Sequence, residues 1–206
     1  MSLFPRNPAA SLSAAMALIL GAILTVASPS TPSQAAAACP DILLGDSLAV
    51  GMGPYAQALG FEVIAQGGAG LNWLRAQEPR CARRLVLVFG TNDLRGMSAA
   101  EAQAYPARIA EVMAKWDAEQ VIWATPGCFS QDDQLERGSV ALDRVLAQAR
   151  QRATDQLRDL PAINSGRQSR CSFPSRDGIH PSTGMAYQVW WAGLAEVLGR
   201  HRLAGA

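Results

Sequence analysis

Ile42-Leu43-Leu44-Gly45-Asp46-Ser47-Leu48 is a short unbroken apolar run that stops at a glycine and turns polar. A run of this length without alternation is what a strand buried on both faces requires. Three similar runs follow, at Glu62 to Ala65, Leu85 to Phe89 and Val121 to Ala124, with a weaker fifth at Ala162 and Ile163. Helical patterns lie between them. Ser98 and Glu101 have the spacing of a capping box, and Ile109, Val112, Met113 and Trp116 recur at helical intervals. A second helix is expected over Val140 to Leu157, with Leu142, Val145, Leu146 and Ala149 on one face. The last is expected from Ser182 to Leu198, striped by Val189, Trp190, Leu194 and Val197. Strand alternating with helix predicts a parallel α/β sandwich, whose functional groups gather beyond the carboxyl ends of the strands.

The chain has 206 residues, 49% of them hydrophobic, and a formal net charge of +1. That composition can fill a core, and it lacks the basic footprint expected of a protein that binds nucleic acid. Arg6, an apolar run from Leu12 to Ala27 and a stretch of small residues ending at Ala38 follow the order of a secretory signal peptide. The expected organisation is therefore a leader over 1–38 and one domain over 39–206. Once the leader is cleaved, no stable membrane insertion is expected, and the location is secreted or periplasmic. An uncleaved N-terminal anchor is the other reading of such a segment.

Cys39, Cys81, Cys128 and Cys171 all follow the leader, and an even count in an exported chain argues for two disulfides. If the strand order is flavodoxin-like, the first and third strands are neighbours, which favours Cys39–Cys81 and Cys128–Cys171. No pair has C-x-x-C spacing and histidine is scarce, so neither a metal site nor a cofactor is expected.

Four segments carry candidate chemistry. Ser47 follows Gly45-Asp46 where a strand hands over to a helix, so its hydroxyl sits at a helix N-terminus beside N–H groups able to stabilise negative charge. Gln66-Gly67-Gly68-Ala69-Gly70 follows the second run, and no Gly-Lys-Ser/Thr accompanies it, which excludes a phosphate loop. Gly90-Thr91-Asn92-Asp93 follows the third run and offers the Asn92 amide as a donor. Asp177-Gly178-Ile179-His180-Pro181 supplies a base with a nearby carboxylate to fix its tautomer. The other histidine, His201, is placed in the tail after the last helix. Asp46 and Asp93 are read as acceptors for nearby backbone N–H groups, and Trp73 as a residue of pocket or packing.

These four segments, in this order and over essentially the whole mature chain, resemble blocks I, II, III and V of the SGNH/GDSL hydrolases. The resemblance implies a three-layer α/β/α sandwich with a flavodoxin-like parallel sheet, and ester hydrolysis without a metal. It implies Ser47 as nucleophile, His180 as base and Asp177 as its orienting carboxylate. Ser47, Gly70 and Asn92 would then form the oxyanion hole. Block II departs from the family pattern, with Ala65, Ala69 and Leu71 around the glycines, so Gly68 stands beside Gly70 as the alternative donor. The expected substrate is an ester, of short acyl groups on a saccharide or lipid. An acyltransferase with the same triad and a non-catalytic binding protein of the same fold are the rival readings.

Overall fold

The computed structural model describes residues 38–129, 131–152, 162–163 and 173–203. In chain order the elements are β1 (Asp41–Gly45), α1 (Ser47–Gln57), β2 (Phe61–Ala65), α2 (Leu71–Arg75), β3 (Ala82–Val88), α3 (Thr91–Leu94), α4 (Ala99–Met113), β4 (Ala118–Ala124), α5 (Asp133–Arg152), β5 (Ala162–Ile163) and α6 (Gly184–Leu203). All strand pairs are parallel, in the order β2-β1-β3-β4-β5. This is the expected flavodoxin-like order, with helices on both faces. The expected leader lies, apart from residue 38, outside the described residues.

Alternation along the central strands divides the core in two. Ile42, Leu44, Leu85, Leu87 and Trp123 point to a cluster completed by residues of α2, α4 and α5. Leu43, Val86, Val88 and Ile122 point to the other face, where α1 and α6 supply Met52, Trp190, Trp191 and Leu194. Each central strand is therefore apolar on successive residues because both of its faces are covered. No described helix is long and apolar enough to cross a membrane.

Several boundaries differ from the sequence reading. β3 and β4 begin three residues earlier, through Arg83, Arg84, Glu119 and Gln120, where a polar strand end gave no hydrophobic signal. α5 begins at Asp133, seven residues early, because Asp132 Oδ1 accepts the N–H groups of Gln134 and Leu135 and caps it. Its expected end, at Leu157, lies outside the described residues. In α6 the buried stripe is Ala186, Trp190, Trp191, Leu194 and Leu198, whereas Val189 faces solvent. α6 also continues to Leu203, so His201 lies within the helix and not beyond it. The short helices α2 and α3 had no periodic signal of their own. The capping box at Ser98 and Glu101 forms with both arms in place.

Cys39 and Cys81 are disulfide-bonded, with Cα atoms 5.4 Å apart at the amino ends of the neighbouring strands β1 and β3. Closing that 42-residue separation removes about 4 kcal/mol of denatured-chain entropy. Cys128 is also disulfide-bonded, and Cys171, its expected partner, lies outside the described residues.

Beside the disulfide, the buried carboxylate of Asp41 receives Arg83 Nε and Arg84 Nε, each at 2.9 Å, and a second N–H from each guanidinium. Burial alone would raise its pKa, but the bonds from Arg84 and Arg83 prevail and lower it from 3.8 to about 2. A depressed carboxylate stabilises the fold above its unfolded pKa and loses that contribution as pH falls through the folded value. Asp41→Asn should therefore cost about 2 kcal/mol at pH 7. Urea unfolding at stepped pH should show the gap to wild type closing between about pH 4 and pH 2. A gap that stays constant across that window would contradict this account.

Candidate functional site

The strand order places three loops side by side at the carboxyl edge of the sheet. β1 is flanked by β2 and β3, with Gly45 paired to Ala65 and to Val88. The chain therefore leaves all three strands at one level. Gly45 is needed there for close approach: a Cβ would stand 2.2 Å from the Val88 carbonyl oxygen and 2.6 Å from the Ala49 Cβ. Its role is to let α1 and β3 pack against the strand end, not to supply an unusual turn.

Ser47 is the first residue of α1, and Asp46 is its N-cap. The Asp46 side chain is fully buried. Its Oδ1 accepts the Leu48 N–H at 2.9 Å, and its Oδ2 accepts the Thr91 N–H at 3.3 Å. One carboxylate thus ties the first loop to the third. Asp93 ties the third to the second, accepting the Leu71 N–H at 3.0 Å, and the Asn92 Nδ2 donates to the Ala69 carbonyl at 2.9 Å. Asp46 accepts a nearby backbone N–H, at Leu48, as expected from sequence, whereas the backbone N–H that Asp93 accepts is that of the distant Leu71. That they join different loops was not legible, because the partners lie 45 and 22 residues away.

The fourth segment arrives from the other end of the chain. Ser175 and Pro181 form an isolated antiparallel bridge, and the Ser182 N–H donates to the Pro174 carbonyl at 2.8 Å. Between them the chain folds around Asp177. Its Oδ1 accepts the N–H groups of Ile179 at 2.9 Å and His180 at 2.8 Å. The Ser175 hydroxyl lies 3.0 Å from that oxygen and 2.7 Å from the His180 carbonyl oxygen. With one proton, it donates to one of them at a time. Sequence gave no signal for Ser175, which stands outside the Asp177–His180 motif. The loop also leans on Gln131, whose Nε2 donates to the Ser175 carbonyl at 3.2 Å.

His180 Nδ1 lies 2.7 Å from Asp177 Oδ2, and His180 Nε2 lies 2.7 Å from Ser47 Oγ. Partial burial works against the Asp177 charge, but bonds from the His180 ring, the His180 and Ile179 N–H groups and Ser175 outweigh it. They hold the carboxyl well below its usual range. An ionised carboxylate only accepts, so Nδ1 carries a proton, and in the neutral ring Nε2 then presents a lone pair to the Ser47 hydroxyl. The Asp177 and His180 side chains are 52% and 38% exposed, so the pair depends on alignment more than on exclusion of water.

All five residues singled out in the sequence lie in these four loops. Ser47, His180 and Asp177 form one hydrogen-bonded line. Gly70 is the N-cap of α2, and Asn92 is bonded to the peptide just before Gly70. Gly68, at φ +75°, has nothing within 4 Å of where a Cβ would stand. Trp73, in α2, packs against the core beneath the loop. Among the described residues, no group of three or more His, Cys, Asp or Glu side chains is placed to hold a metal ion.

No protein-family model matches the chain, and no curated protein does. Solved structures do. The inhibitor-bound aryl esterase of M. smegmatis is 17% identical, with 79% of this chain and 99% of that one covered, at a TM-score of 0.58. A carbohydrate acetylesterase family member from Sinorhizobium meliloti is 15% identical over 78% and 97%, at 0.54. A member of the lipolytic protein G-D-S-L family from Veillonella parvula is 15% identical over 78% and 98%, at 0.51. At such identities the likeness is one of architecture: this chain has the α/β fold of the esterases and lipolytic proteins of the G-D-S-L kind.

Proposed function

We propose that the chain is an exported serine esterase that cleaves short-acyl esters through an acyl-enzyme, with Ser47, His180 and Asp177 as its triad. The observation that carries this reading is the unbroken line from Asp177 through His180 to Ser47, with 2.7 Å at each step. In the first half of the reaction His180 Nε2 takes the Ser47 proton as Oγ attacks the ester carbonyl. The tetrahedral oxyanion meets the N–H of Ser47 and of Gly70 and the Asn92 amide. Asn92 Nδ2 has two N–H bonds, of which one is used at the Ala69 carbonyl. The alcohol departs with the proton returned by His180, and water repeats the sequence on the acyl-enzyme.

Gly70 is preferred to Gly68 because its preceding peptide is the one that Asn92 holds. Export is supported by the leader-like N-terminus and by the Cys39–Cys81 disulfide, which suits an oxidising compartment. An acetylated saccharide fits the likeness to a carbohydrate acetylesterase family member.

Hydrolysis of p-nitrophenyl acetate, butyrate and octanoate by the mature protein and its Ser47→Ala variant tests the reading. Turnover is expected on the acetate above all, and Ser47→Ala should remove it by several orders of magnitude, together with fluorophosphonate labelling. Unlabelled wild type, inert on all three esters, would end the hydrolase reading. Asn92→Ala should lower kcat roughly 10²–10³-fold. Activity near wild type in that variant would remove Asn92 from the oxyanion hole.

A further inference from the structure

The Tyr105 hydroxyl and the Asp93 carboxylate stand outside the line from Asp177 to Ser47, yet they meet behind the loop that ends at Gly70. Asp93 uses both oxygens: Oδ1 accepts the Leu71 N–H at 3.0 Å, and Oδ2 accepts the Tyr105 hydroxyl at 2.7 Å. The approach is close enough that a Cβ on Gly70 would stand 2.8 Å from Asp93 Oδ1. Tyr105 itself is fixed. It lies on α4, is 2% exposed, and packs with its ring centroid 6.0 Å from that of Trp123. Burial first, and then the Asp93 charge, push its pKa well above 10, so the hydroxyl keeps its proton and remains a donor.

Glycine is the residue with the most backbone freedom, and a donor mounted on one is poorly placed unless its neighbours are held. Here both flanking peptides are held. The peptide before Gly70 is bonded through the Ala69 carbonyl to Asn92, and the one after it through the Leu71 N–H to Asp93. The two anchors are consecutive residues of one loop, and Tyr105 fastens that loop to the core.

We infer that Asp93 and Tyr105 are positioning residues, a clamp that fixes the segments carrying the Gly70 N–H and the Asn92 amide. The inference rests on the oxyanion role proposed above for those two donors. Displacement of the order of 1 Å at such a site is costly, because the donors must already be aimed when charge develops. The clamp touches no reacting atom and acts only through the donors it aims.

Tyr105→Phe in the full chain is the test, since it keeps the ring in the core and removes only the hydroxyl. With p-nitrophenyl acetate, kcat should fall roughly tenfold while KM stays within about twofold, because the stabilised oxygen exists only in the transition state. Amide hydrogen exchange at Leu71, followed by NMR, should quicken in the variant while the central strands keep their protection. Unchanged kcat with unchanged Leu71 exchange would overturn the clamp, as would a loss confined to KM. If wild type shows no Ser47-dependent turnover, the hydrolase reading fails separately. Leu71 exchange then decides the clamp alone, faster exchange supporting it and wild-type exchange refuting it.

Discussion

The buried carboxylate of Asp46 is the contact on which the site depends most. It caps α1, which aims Ser47, and it holds the Thr91 N–H, which starts the loop carrying Asn92. Two loops from adjacent strands therefore share one acceptor, and moving either would break a hydrogen bond to a buried polar group. Such a group costs more to leave unsatisfied than an ordinary hydrogen bond contributes when made. The stiffness of the site comes from this asymmetry.

Around Asp46 the other contacts form a hierarchy of decreasing burial. The pairing of β1 with β2 and β3 fixes the height at which three loops emerge. Asp93 and Asn92 then bind the glycine loop through its backbone. The loop of Asp177 and His180 is the most exposed member, and it is shaped by its own bonds through Ser175 and Asp177. The order suits the proposed chemistry: donors that it needs aimed in advance are held from beneath, while the residue it uses as base sits at the rim.

Much of this was legible in the sequence. Continuous apolar runs located the strands because burial on both faces leaves no polar alternation, and three of the runs ended where a candidate loop begins. Ser47, Asn92, Asp177 and His180 stood out because few other residues of their type follow a strand end or remain as a base. Polar strand ends at Arg83 and Glu119, and the early start of α5, were missed because hydrogen bonding and not hydrophobicity defines them. Val189 was misread because helical spacing gives two adjacent faces, and only the packed partner decides between them. Nothing in the sequence singled out Tyr105; its hydroxyl gains meaning only from Asp93, 12 residues away.

Ser47 and His180 are 133 positions apart, and the loops that hold the amide donors are complete by Asp93. A chain made from its amino end therefore acquires Ser47, Gly70 and Asn92 well before His180. On the proposed mechanism, a product that stops ahead of Asp177 carries Ser47 without the residue that takes its proton. On that reading, attack on an ester waits until the loop of Asp177 and His180 has been made and has folded.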